Sequence, residues 1–254
     1  PLEEALDALL DYRGKTPEKT NFGVPLITAK IVKNGRIEPA TEFIARDKYT
    51  GWMTRGLPRV GDVLLTTEAP LGEVAQLHTD YVALAQRLVA LRGKDGVMDN
   101  TYLRYLLQTD DIQEQLSARA TGTTVLGIKQ SELRKIAVRL PSIERQREVA
   151  AMLALLDDRI TLLRETNATL EAIAQVLFKS WFVDFDPVRA KMEGRVPEGM
   201  DEATAALFPD SFEESVLGEV PRGWAIESLD KIANYLNGLA LQKFPPTGAD
   251  DLPV

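Results

Sequence analysis

The stretch Ser142–Phe182, SIERQREVAAMLALLDDRITLLRETNATLEAIAQVLFKSWF, decides how the rest of the chain is read. Val149, Leu153, Leu156, Ile160, Leu163, Asn167, Leu170, Ala174, Leu177 and Trp181 follow one another at steps that alternate between four and three residues. Nine of these ten positions are apolar, and no Gly or Pro interrupts them. A 3.5-residue repeat keeps a narrow stripe on one side of a helix that winds around a partner, which is the a/d pattern of a coiled coil. An ordinary core-facing helix also carries an apolar stripe, but few hold a strict 3.5 spacing over so many turns. The spacing predicts one long helix over 142–182, on the order of 55 to 60 Å at ~1.5 Å per residue, with Ser142 as its N-cap. Asn167 falls at an a position, where a buried amide costs stability and fixes register and partner. Such a helix needs something to pack against.

Upstream, from Val24 to Leu140, short apolar runs are punctuated by Gly and Pro. Val24–Ile31, Gly61–Thr67, Glu73–Leu77 and Val82–Leu91 read as strands, with Ala69-Pro70-Leu71-Gly72 turning the chain between the second and third. Asp99-Asn100 is a helix-capping signal, and Tyr102, Leu103, Leu106, Leu107, Ile112 and Leu116 recur at helical spacing up to Thr121-Gly122, fitting two helices or one broken helix. Ile136–Leu140 reads as a closing strand ended by Pro141. Residues 1–141 are therefore expected to form a mixed α+β domain.

Downstream, the helix is expected to stop before Pro187, which cannot continue it and pushes Asp186 out of the α region. Residues 183–216 are acidic and broken by Pro and Gly, and read as a linker with a short helical turn at Glu202–Leu207. Beyond it, Leu229-Asp230-Lys231-Ile232 and Tyr235 align with Leu6-Asp7-Ala8-Leu9 and Tyr12, and Leu252-Pro253-Val254 with Val24-Pro25-Leu26. Order is preserved, so 217–254 reads as the opening of a second copy of the first domain, too short to bury a core by itself.

The chain has 254 residues and a net charge of −8, with 44% hydrophobic residues. That composition supports a globular protein and excludes wholesale disorder. There is no cysteine, which excludes disulfides, thiolate metal sites and a cysteine nucleophile, and fits a reducing cytoplasm. Pro1–Leu10 has no apolar core run, and no segment reaches the ~18 apolar residues of a membrane span, so neither a signal peptide nor membrane insertion is expected.

The acid is concentrated in one half. Residues 1–142 carry 19 Lys+Arg against 18 Asp+Glu, whereas 143–254 carry 11 against 20. Within Arg13–Arg59, ten basic residues face four acidic ones, with Phe43, Tyr49 and Trp52 among them. Cations mixed with aromatics suit phosphate contact combined with base contact, although a solvated surface has the same composition. Candidate DNA contacts are Arg13, Lys15, Lys30, Lys33, Arg36, Arg46, Lys48 and Arg55, with arginine suited to guanine and lysine to phosphate. Thr123 and Lys129, in and after the polar Thr121–Thr124 loop, either contact DNA or merely terminate a helix.

No catalytic constellation is present. The sequence has neither a dinucleotide-binding nor a phosphate-binding Gly motif, and Asp184-Phe185-Asp186-Pro187 only superficially resembles an amino-methyltransferase motif. His78 is the single histidine and reads as a surface or turn residue. Asp110-Asp111 and Asp157-Asp158 read as solvated charges. No metal or cofactor is expected.

Several motifs together resemble the DNA specificity (S) subunit of type I restriction-modification enzymes. They are Gly61-Asp62-Val63-Leu64 with Gly72-Glu73-Val74, Thr121-Gly122-Thr123-Thr124 leading to Ile136–Pro141, Glu144-Arg145-Gln146 opening the long helix, Leu177–Phe185, and Leu217–Trp224. Their order and spacing carry the likeness rather than any single one. The resemblance implies a target recognition domain over 1–141, a conserved-region spacer helix over 142–182, a linker over 183–216 and the start of a second recognition domain over 217–254. It further implies that each recognition domain reads half of a split double-stranded DNA site, and that spacer helices pair antiparallel and offer a surface to methyltransferase (modification) subunits. Methylation and cleavage then belong to those and to a restriction/translocase subunit. With one full recognition domain present, either two half-size chains pair through the seam or the chain is a piece of a longer one. The expectation is a non-enzymatic, sequence-specific DNA reader; the rival is a coiled-coil interaction adaptor, for which the acidic second half speaks.

Overall fold

The structure is a computed structural model that describes residues 1–14, 16–216, 218–236 and 238. Lys15 and the Leu252–Val254 half of the repeat lie outside the described residues. The chain divides into two compact units, Pro1–Leu163 and Arg164–Val254.

The first unit is built on strands β1 (Leu6–Asp11), β2 (Val24–Ile27), β3 (Val32–Lys33), β4 (Arg36–Ile37) and β5 (Phe43–Ile44), followed by a single turn of helix, α1 (Tyr49–Trp52). Then come β6 (Val63–Thr67), β7 (Leu71–Gln76), β8 (Ala83–Leu84), β9 (Leu88–Gly93) and helices α2 (Asn100–Leu107), α3 (Asp110–Arg119) and α4 (Gln130–Leu133). The central sheet is antiparallel in the order β1-β9-β6-β7, and a smaller sheet has the order β5-β2-β8.

Alternation along the strands explains why the apolar runs are continuous. Val63, Leu65, Val89 and Leu91 point to one face of the central sheet, where α2 and α3 supply Leu103, Leu107, Ile112 and Leu116. Leu64, Leu88 and Ala90 point to the other, packed with Leu26, Ile44 and Leu84 of the smaller sheet. Both faces are covered, so every residue of β6 is buried. One charged pair closes the sheet end. Asp62, 1% exposed, receives Arg92 Nε at 2.8 Å and Nη2 at 2.7 Å and also accepts from the Arg59 amide at 2.8 Å. The hydrogen bond to Asp62 holds the Arg92 guanidinium above its ordinary pKa.

Long α5 (Ile143–Phe182) is unbroken over 40 residues. Its start is fixed to the first unit. Ser142 Oγ accepts from the Arg145 amide at 3.4 Å, and fully buried Gln146 donates to the Val97 and Pro141 carbonyls while accepting from the Asp99 amide. Asp157 was expected to be a solvated charge. Instead it accepts from Arg104 at 2.5 Å and from the Tyr105 hydroxyl at 2.9 Å, tying α5 to α2.

Other expectations need correction. Val82–Leu91 is not one strand, because the chain breaks at Ala85–Arg87 so that β8 joins the small sheet and β9 the central one. Val24–Ile31 is a strand only to Ile27, followed by a 3-10 turn at Ala29–Ile31. Ile136–Leu140 forms no strand; this segment is held by Leu2 N to Ile136 O at 2.7 Å and by the Gln115 amide group bridging Ala137.

In the second unit Pro187 begins a helix rather than only ending one. Phe185 takes a positive φ of 57°, and α6 (Asp186–Met192) starts with proline in its first turn, where its missing N–H is harmless. The 183–216 span is folded rather than a bare linker, carrying α6, α7 (Glu202–Ala206) and β10 (Phe212–Ser215), which pairs with β11 (Gly218–Pro221). Aromatic packing explains this. Phe182 stacks on Trp224 at 6.1 Å, Phe185 meets Trp224 edge-on at 5.7 Å, and Trp181 meets Phe208 at 6.1 Å. Leu229–Ile232, aligned with β1 in the proposed repeat, is instead a helical turn, α8.

Candidate nucleic-acid interface

The candidate DNA-binding cations prove to be of two kinds. Arg13 is tied inward: its Nε and Nη2 hold both oxygens of Asp11 at 2.6–3.0 Å, and Nη1 donates to the Ile128 carbonyl at 2.8 Å. Arg55 spans the Asp11 and Arg13 carbonyls at 2.6 and 3.0 Å. Both brace the N-terminal segment against distant chain. Lys33 pairs with Glu38 at 3.3 Å on the β3–β4 hairpin, whose Asn34 amide donates to Glu73. Arg36, Arg46 and Lys48 are exposed, and none forms an ion pair among the described residues.

Lys30 belongs to a built feature. It lines a cleft of about 250 Å³ with Thr16, Lys19, Thr28, Gln86 and Arg87. Glu42 also faces the cleft, but Lys19 Nζ sits 2.9 and 3.0 Å from its two oxygens. Lys30 and Arg87 therefore leave the cleft positive. A neighbouring depression of about 350 Å³, also reached by Pro17, has Lys48 and Trp52 on its wall, with Asp47 and Glu18 opposing the cation.

The loop before α4 is linked to Arg87 of this cleft through the backbone of Thr67. Thr121 and Gly127 exchange backbone hydrogen bonds at 2.8 and 3.0 Å, Ile128 N donates to Thr67 O at 3.0 Å, and Thr67 N donates to Arg87 O at 2.9 Å. Gly122 closes the loop with φ +124°, and a Cβ there would sit 2.1 Å from the Val125 carbonyl oxygen, so glycine is required. Thr123 lies on the exposed tip with Val125 and Leu126, and Lys129 is exposed where the loop enters α4. The loop's base is held by backbone hydrogen bonds, and its tip is open to solvent.

Gln86 and Arg87 escaped the candidate set because they fell inside a run read as one strand. The signal was present, as two adjacent polar residues interrupting the apolar Val82–Leu91.

On α5 the seam opens away from its docked start. Val149 and Leu153 are half-buried, whereas Leu156 and Leu163 are 54% and 49% exposed in the first unit. In the second unit Asn167, Leu170 and Ala174 are exposed, and Leu177 and Trp181 are half-buried. Met152, Leu155, Leu162, Ile173 and Val176 are exposed as well. Each precedes a seam position by one residue, which widens the apolar face by about 100°. That second stripe was also missed, because polar Arg159, Thr166 and Thr169 interrupt it. Close to the docked start, burial and the bond to Asp157 push the Tyr105 hydroxyl up to about 12. Among the described residues, no helix is long and apolar enough to cross a membrane.

Comparison with known proteins gives this arrangement a context. The model of the type I restriction modification DNA specificity domain matches residues 11–172. The type I restriction enzyme MjaIX specificity subunit of Methanocaldococcus jannaschii is 32% identical over 178 residues, covering 70% of this chain and 37% of that protein. The HindI specificity subunit of Haemophilus influenzae is 28% identical over 223 residues, covering 70% and 48%. Among solved structures, a chain of a type I R-M system superposes with a TM-score of 0.50 at 21% identity, covering 70% of this chain and 43% of that one, a likeness of fold. The chain thus spans less than half the length of these relatives. Since the matched residues take in most of the α+β unit together with the docked start and exposed seam of α5, the chain belongs to the type I restriction modification DNA specificity domain family.

Proposed function

We propose that this chain is a DNA-reading part of the specificity subunit of a type I restriction-modification complex, directing methylation and cleavage by partner subunits to a bipartite double-stranded target. The observation that carries the proposal is the family match over 11–172, which runs through both the α+β unit and α5. The positive cleft around Lys30 and Arg87 suits the phosphate-rich surface of a duplex. Chemistry is left to methyltransferase subunits and a restriction/translocase subunit. The apolar seam of α5 pairs with a second helix of its own kind, from a second copy or from further chain, and the neighbouring stripe offers a surface for a modification subunit.

The test is selection from a randomised duplex pool, with the chain alone and with a modification subunit added. Enrichment of a bipartite motif supports paired readers, and a single half-site supports one working domain. No enrichment in either condition overturns the proposal. The seam has its own test. Leu156→Lys with Leu163→Lys is expected to abolish pairing in sedimentation while leaving the thermal transition of the α+β unit in place, because both side chains are exposed in the single chain. An unchanged association state rules the seam out.

A further inference from the structure

The break at Ala85-Gln86-Arg87 is clamped on both sides. Ala85 N donates to the Ile27 carbonyl of the small sheet at 2.9 Å, and Arg87 O accepts from Thr67 N of the central sheet at 2.9 Å. Two polar side chains therefore rise from a fixed base into the cleft. Gln86 is half-buried, and its Oε1 accepts from Thr16 Oγ1 at 3.4 Å, leaving its amide N–H groups without a partner among the described residues. Arg87 is exposed and forms no ion pair among the described residues. The contrast is local, because Arg13, Arg55, Arg92 and Arg104 all have their guanidinium groups committed to carboxylates or carbonyls.

We infer that Gln86 and Arg87 read base edges, an assignment that rests on the DNA-reading function proposed above. A glutamine amide can donate to phosphate as well as to a base, but only the base contact carries sequence information. Glutamine does match adenine N6/N7 bidentately, and arginine matches guanine O6/N7. As consecutive residues lining one cleft, the pair addresses bases that lie close together in the target. Rigid support suits this task, since base readout needs fixed geometry whereas phosphate attraction does not. Lys30, on the same cleft, holds the backbone. The half-site is expected to contain a guanine and an adenine close together.

The experiment is the randomised-duplex selection repeated with Arg87→Ala, Arg87→Gln and Gln86→Ala in the full chain. Arg87→Ala is expected to lower the preference for one guanine by about 5- to 150-fold and leave other positions unchanged. Gln86→Ala is expected to relax the neighbouring adenine. Arg87→Gln is expected to move the preference at that position from guanine to adenine, which a structural role would not do. Three outcomes overturn the assignment: an unchanged motif, a uniform loss across all sequences with a shallower salt dependence, or a lowered melting temperature for Arg87→Ala. If the unaltered chain enriches no sequence, the DNA-reading function itself fails, and the assignment falls with it.

Discussion

Two arginines stand at opposite ends of β9. Arg92 is inside, its guanidinium clasping both oxygens of an almost fully buried Asp62. Arg87, one residue before the strand begins, is exposed on a cleft with no carboxylate paired to it among the described residues. The sequence reports the same residue type twice, and counting charge treats the two alike. What separates them is the acceptors the fold brings within reach. An arginine whose donors are satisfied by its own chain is a brace, and one left with five free donors on a rigid turn is available to a ligand.

The largest effect is expected where the brace is broken. Arg92→Ala leaves the Asp62 carboxylate buried without its counter-charge, which costs about 3–5 kcal/mol of stability, since removing one partner of a buried pair strands the other. Chemical denaturation should show the transition moving to clearly lower denaturant with an unchanged slope. Replacing both partners, Arg92→Met with Asp62→Leu, is expected to recover part of the loss, because no charge then remains to be desolvated although the Arg59 amide loses its acceptor. A shift below about 1 kcal/mol for Arg92→Ala would put Arg92 in the same class as Arg87 and dissolve the distinction.

That contrast also explains which features were legible in the sequence. Periodicity is a property of consecutive residues, so the unbroken α5 and the core strand β6 could be read directly. Partnership is not. Arg13 reads as a DNA contact in the sequence because its acceptor, the Ile128 carbonyl, lies 115 residues further on. Asp157 reads as solvated because Arg104 is 53 residues away. Strand identity also depends on what lies alongside. Leu6–Leu9 is β-strand because β9 pairs with it through Leu9↔Leu91, whereas the similar Leu229–Ile232, which pairs with no strand among the described residues, is a helical turn with Leu229 and Ile232 exposed. The Ala85–Arg87 break was hidden for the same reason, since only the two sheets decide where a continuous apolar run changes partners.

The smallest effect sharpens the comparison most, because it must appear in binding and not in folding. Lys30 is exposed, lines the cleft beside Arg87 and forms no ion pair among the described residues, so Lys30→Ala removes no structural bond. Its melting temperature should match that of the unaltered chain. A phosphate contact releases about one counterion, so the slope of log affinity against log salt is expected to shrink by about 1, with every sequence weakened alike. Lys33→Ala is the control: its ammonium is already held by Glu38 at 3.3 Å rather than free for a phosphate, so its removal should change the slope less. Equal slopes for the two variants would mean that the cleft does not concentrate DNA contacts. A smaller slope for Lys30→Ala, with the base preference intact, would place phosphate binding on Lys30 and leave base discrimination to its neighbours Gln86 and Arg87.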